Sequence, residues 1–152
     1  MRETQVELIW LQDILQKIEC VEPCDIRRLP EDETWVVIPY DKVFDFVKII
    51  MEDDLTWHLS TITAQDTGSR IELLYHFWLR HGLTLCTRLA YENPQIKSIT
   101  ALIPGAAFYE REAAEMLGIT FTELKDESVL LLPDAWGKGW PLRRGKKEKH
   151  DD

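Results

Sequence analysis

Large apolar residues occupy every odd position from 71 to 79, and this alternation constrains the fold more than any other feature of the chain. Successive side chains of a β-strand point to opposite faces, so a period of two predicts a strand with one buried face. The odd parity continues on both sides, with Trp57 and Leu59 before the run and Leu83 and Leu85 after it. We therefore predict strands at about Leu55–Thr63, Ile71–Arg80 and Leu83–Ala90.

The loops that connect these strands agree with the hydrophobic pattern. Asp66-Thr67-Gly68 and Arg80-His81-Gly82 each supply three residues that end in glycine. This length and composition favour a type I turn followed by a left-handed glycine. An odd-length loop also keeps odd positions opposite odd positions across the hairpin. The sequence thus predicts an antiparallel meander of three strands whose odd positions are buried.

Segments on both sides of the meander carry helix and strand signals. Apolar residues three and four positions apart predict helices, and short β-branched or aromatic runs predict strands. The predicted elements are a helix over Glu3–Ile18, a strand at Thr34–Ile38, a helix after Asp41, a short helix over Ser98–Leu102, a helix from near Gly105 to Gly118, and a short strand at Leu130–Leu132. The order α-β-α-β-β-β-α-α-β predicts an α+β, two-layer domain with packed helices and an antiparallel sheet of three to four strands.

Charge is distributed unevenly along the chain. The formal net charge is −9; residues 137–152 contribute +3, so residues 1–136 carry −12. We predict one domain over residues 1–136, followed by a C-terminal arm and basic tail over residues 137–152. The acidic domain argues against a general affinity for nucleic acid or anionic lipid. The basic tail is either a contact for an acidic partner or lipid headgroups, or a solvated terminus.

The compartment can also be inferred from the sequence. Met1–Thr4 do not start a signal-peptide pattern, and no apolar run approaches the ~20 residues of a membrane helix. The three cysteines cannot all pair, which argues against a disulfide framework and fits a reducing compartment. We expect a cytoplasmic protein whose contact with a membrane runs through partners or through the tail.

Two groups of residues could support chemistry, and each has a simpler explanation. The predicted register places His58 opposite His76 and His76 opposite Cys86, which would be a zinc ligand set or a chance neighbourhood. Glu112 and Glu115 lie one helical turn apart, which suits acid–base work or ordinary surface ion pairs. The chain has no nucleophile in a recognisable setting and no glycine-rich phosphate loop. We predict no catalytic, cofactor-binding or metal-binding residue in this chain.

Aromatic residues are expected on two surfaces. Leu74 and Trp78 lie on the even face of the meander, which suggests that another segment or a partner covers this face. The C-terminal arm has the composition of an interface hot spot, with Trp136, Trp140, Pro141 and Leu142. It either reaches a partner or packs back on its own domain, and the sequence leaves both possibilities open.

The stretch Phe108–Ile119, with the sequence FYEREAAEMLGI, resembles the hallmark of the 30 kDa subunit family of complex I, NADH dehydrogenase. Leu131–Asp134 (LLPD) and Pro141–Arg144 (PLRR) look like the closing elements of that family, and the predicted element order is similar as well. Other residues are usual in the family where this chain has Leu124, Ser128 and Trp140. These departures favour the branch found in membrane-bound, energy-converting (Ech-like) [NiFe] hydrogenases.

The resemblance implies a non-catalytic structural or assembly subunit in the hydrophilic arm of a membrane-bound oxidoreductase, at the cytoplasmic face of the cell membrane. It implies no cofactor in this chain. The expected partners are a large subunit (49 kDa-like or [NiFe] hydrogenase-like) and a small iron–sulfur subunit, which would hold the clusters and the [NiFe] or quinone site. The residues implied to contact partners are Tyr109, Glu110, Arg111, Glu112, Glu115, Trp140, Pro141, Leu142, Arg143 and Arg144.

Two other interpretations stay open at this point. Aromatic side chains on a sheet face can stack on bases, so a nucleic-acid or other binding module without a redox partner is possible, although the charge of −12 speaks against it. A free-standing enzyme that uses His58, His76 and the acidic residues is the second alternative.

Overall fold

The computed structural model describes residues 2–20, 25–29, 33–52, 57–78, 81–126 and 128–145. The elements in chain order are α1 (Arg2–Lys17), β1 (Asp25–Leu29), β2 (Glu33–Val37), α2 (Val43–Glu52), β3 (His58–Asp66), β4 (Arg70–Trp78), β5 (Gly82–Ala90), β6 (Gln95–Lys97), α3 (Ala106–Leu117) and β7 (Thr120–Thr122), with a 3₁₀ turn at Tyr40–Lys42 before α2. Leu55, Leu79, Arg80 and the tail from Lys146 onward, which the sequence analysis includes, lie outside the described residues.

Five strands form the main sheet, in the spatial order β1-β2-β5-β4-β3. β3, β4 and β5 make the predicted antiparallel meander, and β1 and β2 are also antiparallel, whereas β2 runs parallel to β5. A separate short pair joins β6 and β7 in parallel. The predicted α+β class is confirmed, but three to four strands is too low a number. The sequence of β1, DIRRL, contains only two apolar residues and gives no period-two signal.

One hydrophobic core lies between the helices and one face of the sheet. The odd positions of β4 are buried as predicted, from Ile71 to Phe77. The same cluster contains Leu11, Ile14 and Leu15 from α1, Ile18 directly after it, and Val43, Phe46, Val47 and Ile50 from α2. Trp10 of α1 stacks on Trp57 with 5.5 Å between ring centroids. The third helix, α3, packs against β3.

A β-bulge in β3 changes the parity that the sequence predicted. Leu59 pairs with Phe77 and Thr61 pairs with His76, so Ser60 has no partner opposite it. Because of the extra residue, the side chains after the bulge point to the opposite face of the sheet from the one that the period of two predicts. Beyond it the buried residues are Ile62 and Asp66, both at even positions, whereas odd positions were predicted to be buried along the whole strand.

The two predicted glycine turns have different outcomes. Gly68 lies in the left-handed region with φ +87°, and its N–H donates a hydrogen bond of 2.7 Å to the Asp66 carboxylate. The prediction for Gly82 is wrong, because this residue is the first of β5 and pairs with Trp78. A Cβ at Gly82 would lie 3.1 Å from Cγ of Glu33 on β2, so close strand packing explains this glycine better than a turn.

Three other local predictions are wrong or incomplete. Ser98–Leu102 is not a helix, because the Ser98 N–H bonds to the Thr122 carbonyl and continues the β6–β7 pairing. Leu130–Leu132 is not a strand, since the N–H groups of Leu130 and Leu131 bond to a side chain on α3. β7 was missed because it has only three residues. The helix that ends at Gly118 is confirmed, with Gly118 left-handed at φ +69°.

Two further observations concern the helices and the cysteines. None of the helices among the described residues is both long and apolar enough to cross a membrane. Cys20 is disulfide-bonded, although a disulfide framework was not expected, whereas Cys86 is free and buried.

Candidate docking site

The residues that carry the family resemblance lie on α3 and on the segment that follows β7. We call Ser128–Gly145 the C-terminal segment and the remaining described residues the body. The C-terminal segment contains neither helix nor strand. The predicted boundary between residues 136 and 137 stays a prediction, but irregular structure begins earlier, after Thr122.

Glu110 is completely buried, with 0% of its surface exposed. Its carboxylate accepts a hydrogen bond of 2.6 Å from the Ser98 hydroxyl and one of 2.8 Å from the Ile99 N–H. Burial raises the pKa of Glu110 above its ordinary value, although these two hydrogen bonds act in the opposite direction. The side chain therefore ties α3 to the chain after β6. Its predicted role as a partner contact is wrong, because no partner can reach it in the folded protein.

Tyr109 bonds to the bulge in β3. Its hydroxyl donates a hydrogen bond of 3.0 Å to the carbonyl of Ser60, the residue without a partner across the strand pair. Main-chain polar groups need partners, so the bulge supplies a carbonyl that the ladder does not use. Tyr109 thus helps to fix α3 on β3, and whether it also contacts a partner stays a prediction.

Arg111 and Glu115 hold the start of the C-terminal segment against α3. The Arg111 guanidinium donates to the Ser128 carbonyl at 3.1 and 2.8 Å and forms an ion pair of 3.2 Å with Asp126. One oxygen of Glu115 accepts the Leu130 N–H and the other accepts the Leu131 N–H, each at 2.8 Å. Desolvation raises the pKa of Glu115, but these N–H groups and Arg111 outweigh it and leave the pKa below its ordinary value.

Arg143 holds the other end of the C-terminal segment at the carboxyl end of α3. Its guanidinium donates a hydrogen bond of 2.7 Å to the Leu117 carbonyl and one of 2.8 Å to the Tyr91 carbonyl. The guanidinium also lies over the rings of Tyr91 and Trp140, at 4.5 and 5.4 Å from their centroids. The last carbonyls of a helix lack partners within the helix and favour a cation. Arg143 therefore uses its donors on its own domain.

Asp66 is a member of the site that sequence reasoning missed. Besides the Gly68 N–H, its carboxylate accepts the Tyr91 hydroxyl at 3.0 Å and the Arg144 N–H at 2.8 Å. Desolvation raises the pKa of Asp66, but these three hydrogen bonds and the charge of Arg143 bring it below its ordinary value. The sequence marked Asp66 only as a turn residue, and no local signal connects it with a residue 78 positions later.

Gly118 is a point of close approach between the C-terminal segment and the body. A Cβ added at this glycine would overlap the indole ring of Trp140, so no side chain fits there. The glycine is thus required twice, for its left-handed conformation and for the indole that rests on it. The Leu142 N–H also bonds to the Met116 carbonyl at 3.0 Å, beside this contact.

The remaining predicted contact residues have accessible side chains. The exposed residues are Glu112, Trp140, Pro141, Leu142 and Arg144. Leu131 and Trp136, also on the C-terminal segment, are exposed as well. The backbone of the segment and Arg143 pack on the body, as one of the two possibilities predicted, and whether the exposed apolar side chains reach a partner stays a prediction.

The register separates the three residues of the hypothetical zinc set. His58 lies opposite Trp78, His76 opposite Thr84, and Cys86 opposite Leu74, because the strand pairs differ from the prediction by about two residues. His76 Nδ1 is 2.9 Å from the Thr84 hydroxyl, which donates a hydrogen bond of 2.5 Å to Glu33. Among the described residues no group of three or more potential ligands is arranged to hold a metal ion.

The known proteins that this chain resembles are subunits of respiratory or hydrogenase complexes. The sequence profile of the family described as "Respiratory-chain NADH dehydrogenase, 30 Kd subunit" matches residues 19–151. One subunit of the NADH-quinone oxidoreductase of Roseiflexus castenholzii is 33% identical, over 68% of this chain and 64% of its own length, so this chain spans less than two thirds of that relative. The beta subunit of the membrane-bound hydrogenase of Pyrococcus furiosus is 29% identical, over 76% of this chain and 71% of its own length.

A solved structure shares the fold over almost the whole chain. A chain of an archaeal respiratory membrane complex, the membrane-bound sulfane sulfur reductase, superposes with a TM-score of 0.75 at 22% identity. The superposition covers 94% of this chain and 86% of that chain.

Proposed function

This chain belongs to the family of the 30 kDa subunit of respiratory-chain NADH dehydrogenase, and from this premise we propose that it is a non-catalytic structural subunit of a membrane-bound oxidoreductase of the respiratory type. It braces a large catalytic subunit and a small iron–sulfur subunit in the hydrophilic arm of the complex. The large subunit is of the 49 kDa type or the [NiFe] hydrogenase type. The chain sits at the cytoplasmic face of the membrane and reaches the membrane through its partners.

The distribution of exposed apolar side chains is the observation that carries this proposal. Five large apolar residues of the C-terminal segment are exposed: Val129, Leu131, Trp136, Trp140 and Leu142. Phe108 is exposed on α3, one turn before Arg111, which bonds to the start of that segment. A concentration of exposed aromatic and aliphatic side chains on one segment is typical of a protein–protein contact.

Charge supports a protein partner rather than nucleic acid. Residues 1–136 carry −12, which opposes a phosphate backbone, whereas residues 137–152 carry +3 and lie beside or include the exposed tryptophans Trp136 and Trp140. Arginine beside tryptophan is a frequent composition of interface hot spots. The partner surface expected for this segment is apolar at its centre and acidic at its margin.

The proposal can be tested by purification from membranes. The full chain carries an affinity tag in its native host, membranes are solubilised in mild detergent, and the co-purified chains are identified by peptide sequencing. We expect a large subunit of one of the two types and a small subunit with iron–sulfur ligands. Leu131→Asp places a charge on an apolar contact and should lower their recovery about tenfold.

Ile9→Asp is the matched control, because Ile9 and Leu131 are both 58% exposed and Ile9 lies on α1, away from the C-terminal segment. Its recovery of partners should equal that of the unmodified chain. Recovery of the chain free of any oxidoreductase subunit would contradict the proposal, and so would electron transfer catalysed by the purified chain alone.

A further inference from the structure

We propose that the C-terminal segment is a preassembled docking element, which Arg143 and Asp66 lock into its binding shape before any partner arrives. The inference deepens the proposed function and rests on it for the identity of the partner. The alternative is a tail that is disordered in the free subunit and folds only against its partner.

We call the contacts made by Arg143, Asp66 and Tyr91 at the C-terminal end of the segment the lock. The Arg143 guanidinium joins the Leu117 carbonyl at the end of α3 to the Tyr91 carbonyl after β5, so that it spans two elements of the body. The next residue, Arg144, donates its N–H to Asp66. Tyr91 completes the lock, since its hydroxyl bonds to Asp66 and its ring lies under Arg143. Bonds of this kind, with one charged partner, are stronger than neutral ones.

The other end of the segment is held independently. Arg111 and Glu115 bind the backbone of residues 128–131, so the segment is attached at both ends. The part between is closed on itself, because the indole N–H of Trp136 donates a hydrogen bond of 2.7 Å to the Gly139 carbonyl and the Trp136 N–H bonds to the Pro133 carbonyl. A segment attached at two ends and braced between them has few alternative conformations.

The fixed backbone contrasts with the exposure of the side chains that it carries. A tail that only needed to pack on its own domain would bury its apolar residues, yet Leu131, Trp140 and Leu142 remain exposed. Ordering a flexible segment costs conformational entropy. If the segment is already ordered in the free protein, binding does not have to offset that cost, which is the general advantage of a preorganised surface. Arg143 and Asp66 are therefore positioning residues, and the exposed side chains make the contact.

Amide hydrogen exchange of the full, isolated chain tests the lock without a partner. In the unmodified chain the Leu130, Leu131, Leu142 and Arg144 amides should exchange at least about tenfold more slowly than unprotected amides. Arg143→Ala should accelerate exchange of the Leu142 and Arg144 amides by about tenfold or more, while amides of β4 keep their protection. Asp66→Asn is a second variant and should release the Arg144 amide.

Arg144→Ala is the matched control for this measurement, because the bond to Asp66 comes from the backbone N–H and survives removal of the side chain. Unprotected amides across the segment in the unmodified chain would overturn the inference. Unchanged protection in Arg143→Ala would overturn it too.

A binding measurement then separates the inference from the proposed function. Arg143→Ala should weaken binding to the purified large and small subunits, and Arg143→Lys should not restore it, because an ammonium cannot span both carbonyls and stack on two rings. If no oxidoreductase subunit binds the unmodified chain, the proposed function fails while the exchange result still decides whether the lock exists. If binding occurs and Arg143→Ala binds as tightly as the unmodified chain, the lock plays no part in docking.

Discussion

The body and the C-terminal segment are ordered by opposite means. In the body, the apolar side chains of β4 from Ile71 to Phe77 are buried and the backbone groups of this strand pair in a sheet ladder. In the C-terminal segment the apolar side chains are exposed, and the backbone is held by Arg111, Glu115, Arg143 and Asp66. The body therefore depends on buried apolar area, which is insensitive to pH. The segment depends on a few charged groups, and each of its ends can be released by changing one of them.

The largest expected effect tests the body. Phe77 is buried in the core of β4 and its neighbour Trp78 is exposed on the opposite face. Phe77→Ala should lower the free energy of unfolding by about 3–5 kcal/mol, since it removes apolar contacts and leaves a cavity. Trp78→Ala is the control and should change it by about 0.5 kcal/mol or less. Urea denaturation measures both free energies, and equal effects would show that Trp78 is buried in solution rather than exposed.

A smaller effect tests the contact between the two regions. Gly118→Ala forces a side chain into a left-handed conformation, at about 1–2 kcal/mol, and into the ring of Trp140. We expect the indole N–H resonance of Trp140 to shift toward that of a solvated tryptophan. Gly137→Ala, where a Cβ would meet no atom within 4 Å, should leave that resonance in place. An unmoved Trp140 signal in Gly118→Ala would mean that the segment does not rest on the helix end.

The smallest effect, a difference in titration midpoints, distinguishes two carboxylates on the same helix. The Ile99 N–H reports on Glu110 of the body and the Leu130 N–H reports on Glu115, which holds the segment. The pKa of Glu110 is raised and that of Glu115 is lowered relative to 4.5. In a proton–nitrogen NMR titration the Ile99 signal should therefore change above pH 4.5 and the Leu130 signal below it. Coincident midpoints would contradict the contrast between the regions.

The stability consequences of these two carboxylates have opposite signs. Because the folded-state pKa of Glu115 lies below its unfolded value, its contribution is present above about pH 4.5 and is lost as the pH falls through the folded pKa. Asp66 behaves in the same way from its ordinary value of 3.8. Glu110, with a raised folded pKa, contributes fully below pH 4.5 and loses that contribution as the pH rises through the folded value. As the pH falls, the C-terminal segment should therefore detach before the body is destabilised.

Sequence reasoning succeeded where a signal is local. The buried odd positions of β4, the first helix and the glycine that ends α3 all follow from spacing within a few residues, and the structure has each of them. It failed at the bulge after Leu59. One extra residue there exchanges the buried and exposed faces of the rest of β3, and the residue types in the strand give no sign of it. That single residue and the shifted hairpins also removed the hypothetical zinc set of His58, His76 and Cys86.

The sequence by itself determined the α+β class, the meander and the family, since these depend on periodicity and on a contiguous motif, FYERE. It also marked Glu110 and Arg143 as important, but only the tertiary structure decided that Glu110 is internal and that Arg143 binds its own helix end. The physical reason is that the partners of these groups are distant in the chain, from 11 positions for Glu110 and Ile99 to 52 positions for Arg143 and Tyr91. Contacts between residues so far apart in the chain leave no periodic pattern in it.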